Sequence, residues 1–150
     1  MEWICKKFNE LTANELYAIL QLRNEVFVVE QNCVFQDADD KDQYCHHVMG
    51  WKNHKLIAYT RIVPAGISYV ETSIGRVVTS PKERGTGIGR ELMQKSIEAS
   101  NMLYGQVPIR IGAQLYLKKF YESFKFQKVG NIYMEDGIEH VEMLLNNYDK

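Results

Sequence analysis

The chain has 150 residues, 45% of them hydrophobic, which is enough for one domain with its own core. Its formal net charge is −1, so it carries no excess of positive charge that would favour nucleic acid or an anionic membrane as a partner. No apolar run reaches the length of a membrane span, and residues 1–6 lack the pattern of a signal peptide. The three cysteines, Cys5, Cys33 and Cys45, form no CxxC pair and predict reduced thiols in a cytoplasmic protein.

The first 30 residues predict a strand followed by a helix. Residues 1–8 alternate in polarity, as a strand does. Thr12 and Glu15 have the spacing of a capping box, in which the hydroxyl and the carboxylate bond free amides of the first helical turn. Apolar residues then recur at helical intervals from about Ala13 into the 23–27 region. The β-branched run at 26–29 is expected to end the helix.

An acidic loop is predicted over residues 30–42, where Asp37, Asp39, Asp40 and Asp42 lie close together. A calcium-binding EF-hand loop that began at Asp37 would need glycine at its sixth position and glutamate at its twelfth, which the chain lacks. Two interpretations stay open. The loop is either a solvated acidic surface or a group of negative charges that attracts a cationic amine.

A hairpin is predicted next, with strands at 46–51 and 56–63 joined by a turn at 52–55. Cys45, His46, His47 and His54 raise the question of a zinc site. Adjacent histidines on a strand point to opposite faces of the sheet, so His46 and His47 cannot easily ligate one ion. No metal site is therefore predicted.

The stretch 75–93 reads as a strand, a glycine-rich loop and the start of a helix. Pro81 cannot donate to a sheet ladder and should end the strand. Gly85, Gly87 and Gly89 then let successive amides turn toward one point, which makes an anion site at the helix N-terminus. The loop does not end in Gly-Lys-Ser/Thr, and its glycines are two apart rather than three. It is therefore neither a Walker A loop nor a Rossmann fingerprint.

The remaining segments complete a mixed order of strands and helices. A strand is predicted at 107–113, a helix at 114–123 and a strand at 126–134. An Asp-Gly turn then leads into a last strand at 138–145. This order predicts one α/β domain over residues 1–150, with a mixed, mainly antiparallel sheet.

The loop pattern Arg-x-x-Gly-x-Gly, beginning at Arg84, resembles the pyrophosphate loop of the GCN5-related N-acetyltransferases, which bind coenzyme A. Tyr121 falls on a tyrosine that often acts as general acid in that family, and Gln114 stands where the family commonly has an asparagine. Lys125 replaces a usual glycine. The resemblance implies an acetyl-CoA site whose candidate residues are Val77, Val78, Thr79, Arg84, Gly85, Thr86, Gly87, Ile88, Gly89, Arg90, Gln114 and Tyr121.

The resemblance extends from about residue 15 to 145. Within the family, the chain is most similar to the ElaA subfamily, on the segments 23–31, 75–77, 113–114 and 135–140. The resemblance implies the acyl-CoA N-acyltransferase fold, with helices on both faces of the sheet, a splayed central strand pair and, as in many members, a homodimer. It also implies that Asp136 and His140 line the acceptor pocket. Arg76 and Arg61 could bind an acceptor carboxylate or an internal acid.

The predicted function is acetyl-CoA-dependent transfer of an acetyl group to a primary amine of a small molecule or peptide, by direct attack on the thioester. Backbone amides of residues 77–79 would stabilise the charge on the carbonyl oxygen, and Tyr121 would protonate the departing thiolate. Three candidates for the base stay open: Glu30 first, His47 second and a water chain third. The alternative function is a non-catalytic acyl-CoA-binding or sensing module.

Overall fold

The computed structural model describes residues 1–147, so the last three residues of the predicted 1–150 domain lie outside the described part. Within it, seven strands form one sheet in the order β1-β2-β3-β4-β5-β7-β6. Only β4 and β5 pair in parallel, so the sheet is mixed and mainly antiparallel, as predicted. The strands are β1 Glu2–Lys7, β2 His46–Lys52, β3 Lys55–Val63, β4 Thr72–Thr79, β5 Ile109–Gln114, β6 Gln127–Glu135 and β7 Ile138–Leu145.

Three α-helices cover both faces of this sheet: α1 Ala13–Arg23, α2 Ile88–Tyr104 and α3 Lys118–Glu122. Helix α1 packs its Ile19 against the face of β2–β4 that carries Tyr59. Helix α2 packs its Leu92 against the opposite face, where Ile57 lies. Helix α3 covers β5 and β7 on the same side as α2. None of the helices within residues 1–147 is long and apolar enough to cross a membrane.

The capping box at the start of α1 forms as predicted, with the Glu15 amide 3.1 Å from the Thr12 hydroxyl and the Thr12 amide 2.9 Å from the Glu15 carboxylate. Helix α1 ends at Arg23, within the predicted region. The β-branched run does not end the helical structure, because the chain continues as a π-helical segment, Asn24–Glu30. Val26 is buried against the α1 face of the sheet, so tertiary packing outweighs the weak preference of β-branched residues for strands.

Gln114 ends strand β5 rather than beginning a helix, which corrects the predicted helix at 114–123. Burial alternates along β5 through Ile109, Ile111 and Ala113, so the strand continues one residue further than its sequence suggested. A short 3₁₀ turn, Leu115–Leu117, follows before α3. Gln114 therefore lies on the sheet itself, beside the gap described next.

A bulge in β4 opens the centre of the sheet. Tyr59 lies opposite Val78 and Arg61 opposite Gly75, so two residues of β4, Arg76 and Val77, face one residue of β3. Arg76 takes a left-handed conformation with φ 50°. Strands β4 and β5 pair only at 72↔109 and 73↔110, and beyond that point they diverge. The predicted splayed strand pair is therefore present.

Three of the four aspartates of the acidic loop belong to an internal ion-pair network, so neither a solvated surface nor an attraction for a cation describes them, whereas Asp40 is exposed. Asp42 accepts hydrogen bonds from Arg23 at 2.8 Å and from Arg61 at 2.9 Å. Burial alone would raise the pKa of Asp42, but those two guanidinium groups hold it below its ordinary value. The network joins three arginines with three aspartates: Arg23, Arg61, Arg76, Asp37, Asp39 and Asp42.

Candidate active site

The glycine-rich loop presents a row of free backbone amides. Strand β4 ends at Thr79, and Gly85 and Gly87 both have φ 83°, a left-handed conformation that favours glycine. Helix α2 then begins at Ile88. Among residues 1–147, no backbone carbonyl accepts a well-formed hydrogen bond from the amides of residues 85–90. Unpaired amides at the positive end of a 17-residue helix form a site for an anion.

These amides border a large cleft of about 770 Å³ that occupies the gap between β4 and β5. Most of the residues that the sequence analysis assigned to the cofactor line this cleft: Val77, Val78, Thr79, Arg84, Gly85, Gly87, Ile88, Gly89, Gln114 and Tyr121. The gap and the loop thus bring together segments that lie more than 40 residues apart in the chain. The cleft has room for an extended ligand with an anionic group at one end.

Two of the assigned residues, Thr86 and Arg90, do not line the cleft, which corrects the expectation for their side chains. The Thr86 hydroxyl donates to the carbonyl oxygen of Glu83 at 2.6 Å. Arg90 donates to the Ser123 hydroxyl at 2.9 Å, and its guanidinium lies 4.7 Å from the centroid of the Phe124 ring. Both side chains are therefore already engaged, and these positions offer the site their backbone amides.

Tyr121 reaches the cleft from α3 and is only 5% exposed. It makes edge-to-face contacts with Phe120 and Phe126, at centroid distances of 5.1 and 6.0 Å. Burial among these rings raises the pKa of Tyr121 well above its ordinary value. The hydroxyl is therefore protonated at physiological pH and can donate a hydrogen bond or a proton.

Glu30 lies at the cleft, but its carboxylate is bound by Arg84 through two hydrogen bonds of 2.6 and 2.7 Å. These hydrogen bonds lower the pKa of Glu30. A carboxylate that already shares its lone pairs with a guanidinium, and has a lowered pKa, is a poor proton acceptor. The geometry thus argues against the first sequence-based candidate for the base.

His47 is the wrong residue for the base. Its side chain is 0% exposed and lines neither the large cleft nor the cavity beside it. Its Nδ1 accepts from the Tyr59 hydroxyl at 2.6 Å and its Nε2 donates to the Asp42 carbonyl oxygen at 3.0 Å. Burial lowers the pKa of His47. Both ring nitrogens are engaged in structure, so neither is available for catalysis.

An adjoining cavity of about 350 Å³ opens from the large cleft. Asp136 lines it, whereas Arg76 and His140 line both spaces, so the structure places all three predicted acceptor residues together. Arg76 is engaged with internal acids, because its Nε donates to Asp37 at 2.8 Å and its terminal nitrogen reaches Asp39 at 3.3 Å. Of the two roles predicted for Arg76, its contacts therefore agree with binding an internal acid.

Sequence reasoning missed Glu135 and Gly112, which line both spaces, and Tyr69, which lines the adjoining cavity. No ion pair to Glu135 forms within residues 1–147. A Cβ atom placed on Gly112 would lie 2.9 Å from the hydroxyl oxygens of both Tyr69 and Tyr133. Glycine thus leaves room for two hydroxyls to converge on β5. A glycine inside a predicted strand was the available signal for such a close approach.

A sequence family described as acetyltransferase (GNAT) domain matches residues 12–146, which is nearly the whole chain. The chain belongs to the GNAT acetyltransferase family. GNAT membership identifies it as an acyltransferase, and the predicted resemblance to this family is confirmed.

Individual relatives agree with the GNAT assignment. The protein named ElaA of Escherichia coli (strain K12) is 43% identical over 145 residues, which cover 95% of each chain. Its crystal structure superimposes with a TM-score of 0.90 over 95% of this chain and 97% of that one. An acyl-CoA N-acyltransferase from Pseudomonas aeruginosa is 40% identical, with a TM-score of 0.91 over 96% of this chain and 99% of that one. These matches confirm the ElaA-like resemblance and the acyl-CoA N-acyltransferase fold.

A more distant match shares the GNAT fold alone. An aminoglycoside 6'-N-acetyltransferase, solved in complex with coenzyme A, has a TM-score of 0.72 at 14% identity, and the match covers 98% of each chain.

Lys125, where the GNAT pattern usually has glycine, adopts φ 79° in this chain. The backbone keeps the left-handed turn that glycine would adopt easily, at a strain of about 1–3 kcal/mol.

Proposed function

We propose that the protein is an acetyl-CoA-dependent N-acetyltransferase that moves the acetyl group to a primary amine by direct attack on the thioester. The observation that supports the proposal is that Gly85, Gly87, Ile88 and Gly89, whose amides are free, line the same cleft as Tyr121. The amides are suited to a diphosphate, and Tyr121 offers a proton donor. The GNAT fold and the coenzyme A complex of the aminoglycoside 6'-N-acetyltransferase support the choice of donor.

The residues that would hold coenzyme A fit its chemistry. The loop amides and the helix dipole of α2 would bind the pyrophosphate, and Arg84 would add a bidentate cation. The unpaired edges of β4 and β5 flank the cleft, and their backbone groups can hydrogen-bond the amides of the pantetheine arm. When bound, acetyl-CoA supplies an activated acetyl group as a thioester.

The chain's own groups would assist transfer on both sides of that thioester. Backbone amides at Val77, Val78 and Thr79 would stabilise the negative charge that develops on the carbonyl oxygen. Tyr121 would donate to the sulfur. Burial raises the pKa of Tyr121, so full proton transfer to an ordinary thiolate, with a pKa of about 8.5, is uphill. The same apolar surroundings would raise the pKa of the thiol too, which would narrow the difference between the pKa values of the tyrosine and the thiol.

The decisive experiment measures binding and chemistry separately. Acetyl-CoA should raise the melting temperature of the protein by ligand linkage, and a mixed panel of primary amines should release free thiol from acetyl-CoA with at least one acceptor. A raised melting temperature without thiol release from any amine would favour the acyl-CoA-binding or sensing module instead. The absence of both effects would overturn the proposal.

The ion pair between Glu30 and Arg84 yields a prediction about affinity. Replacing Glu30 with glutamine frees Arg84 for the pyrophosphate, because the carboxylate no longer competes with the anion. Exposed ion pairs contribute about 0.2–1 kcal/mol, so coenzyme A should bind up to about fivefold more tightly, as measured by titration calorimetry. Glu2→Gln, on the distant edge strand β1, is the matched control and should leave affinity unchanged. Equal or weaker binding by Glu30→Gln would show that the pair does not compete with the ligand.

A further inference from the structure

His140 lies where the large cleft and the adjoining cavity meet, and its side chain is 9% exposed. On β7 it stands directly opposite Gln114 of β5 on one side and Tyr133 of β6 on the other. Val141, the next residue, packs in the same core cluster as Tyr121. Because neighbouring residues of a strand point to opposite faces, His140 and Tyr121 flank the gap from opposite sides of the sheet.

The hydrogen bond of His140 fixes which ring nitrogen carries the proton. Nδ1 lies 2.8 Å from the carbonyl oxygen of Ile138. A carbonyl oxygen can only accept, so Nδ1 must be the donor and the neutral ring keeps its lone pair on Nε2. Within residues 1–147, no group hydrogen-bonds Nε2. His47 differs in this respect, since both of its ring nitrogens are engaged.

The orientation of the ring is also fixed. The Tyr133 ring lies against His140 with a centroid distance of 5.7 Å and an interplanar angle of 30°. Tyr133 is held in turn beside Tyr69, because both hydroxyls converge over Gly112. An imidazole held by a neighbouring tilted ring and by a hydrogen bond to the backbone can present its lone pair in one direction, as a catalytic base requires.

The charged groups around His140 include both signs. In the adjoining cavity, the cations Lys41, Arg61 and Arg76 face the anions Asp39, Glu135 and Asp136. Across the large cleft lie Glu30 and Arg84, which pair with each other. On its own strand face, Glu142 is paired with Arg110 at 3.0 Å, and β6 contributes Tyr133. Within residues 1–147, Glu135 and Asp136 are the carboxylates of this set that form no ion pair, and Lys41 is the cation that forms none. The unpaired charge of the cavity is therefore negative, which favours the entry of an amine.

We infer that His140 is the general base that takes a proton from the attacking amine, which enters through the adjoining cavity; this rests on the proposed function. Nε2 of His140 takes one proton from the bound ammonium group, the neutral nitrogen then forms a bond to the carbonyl carbon, and the surplus proton on that nitrogen leaves to solvent. The carbon–sulfur bond then breaks, and the sulfur receives a proton from the Tyr121 hydroxyl. His140 releases its proton to solvent and Tyr121 regains one, so the protons balance.

The test combines a spectroscopic and a kinetic readout. Nitrogen-15 NMR of the wild-type protein should show the His140 ring protonated on Nδ1 and unprotonated on Nε2, with the signal assigned by its loss in His140→Gln. With an accepted amine, His140→Gln should lower kcat/KM about 10²- to 10⁴-fold near neutral pH. The melting-temperature shift produced by acetyl-CoA should be retained. The deficit should shrink as rising pH deprotonates the amine in solution.

His54→Gln, at an exposed histidine in the β2–β3 turn, is the matched control and should keep the activity and pH profile of the wild type. Protonation of Nε2 in the resting protein would overturn the inference. So would wild-type turnover and an unchanged pH profile in His140→Gln, and either result would leave the transferase function standing. Failure of the wild type to acetylate any amine would instead refute the proposed function and the inference with it.

Discussion

Replacing Tyr121 with phenylalanine should lower kcat about 10²- to 10⁴-fold, because the departing thiolate then lacks its proton donor. The substitution removes one oxygen atom and keeps the ring that packs against Phe120 and Phe126. Affinity for acetyl-CoA should therefore change little. Steady-state thiol release and calorimetric binding measure the two quantities separately.

Tyr17→Phe is the matched control for Tyr121, because Tyr17 is 71% exposed on α1 and distant from the cleft. It should keep wild-type turnover. Burial raises the pKa of Tyr121 above its ordinary value of about 10. The donor should consequently stay protonated, and turnover should persist, at pH values where an exposed tyrosine already ionises. Undiminished turnover in Tyr121→Phe would remove this residue from the mechanism.

Replacing Asp42 with alanine should lower the free energy of unfolding by about 3–5 kcal/mol, as expected when one partner of a buried ion pair is removed. Arg23 and Arg61 are 0% and 3% exposed, and each would lose a hydrogen-bonded carboxylate at 2.8 or 2.9 Å. Asp40→Asn, at an exposed aspartate of the same loop whose φ of 64° asparagine also tolerates, should change stability by less than about 0.5 kcal/mol. Urea denaturation of both variants measures the difference.

The pH dependence of stability provides an independent check on Asp42. Its folded-state pKa is lowered, so its contribution is fully present above the ordinary aspartate pKa of about 3.9 and is lost as pH falls through the folded value. Wild-type stability should decline in that acidic range, and the decline should be shallower in Asp42→Ala. An Asp42→Ala variant as stable as Asp40→Asn, with a wild-type acid profile, would show that the ion pairs contribute nothing.

The parts of this protein that sequence predicted well depend on local chemistry. The capping box at Thr12, the strand end at Pro81 and the left-handed glycines of the loop each follow from a few neighbouring residues. The anion-binding end of the large cleft was predictable for the same reason, since Arg84, Gly85, Gly87 and Gly89 belong to one continuous loop. The resemblance to a known family then indicated Tyr121.

The errors arose where partners are distant in sequence. The aspartates of the acidic loop looked exposed, because their arginine partners lie on α1, β3 and β4. His47 looked suitable as a base, because nothing near it in sequence indicates that its Nδ1 is hydrogen-bonded to the Tyr59 hydroxyl.

The short pairing between β4 and β5 has a consequence for motion. Only 72↔109 and 73↔110 join the two halves of the sheet across this seam, although each half has extensive pairing of its own. A ligand with amide groups that bound in the gap would hydrogen-bond both strand edges and so connect the two halves of the sheet. Hydrogen–deuterium exchange along residues 74–79 and 111–114 should therefore slow on ligand binding, because the bound ligand makes local separation of the two strands less frequent.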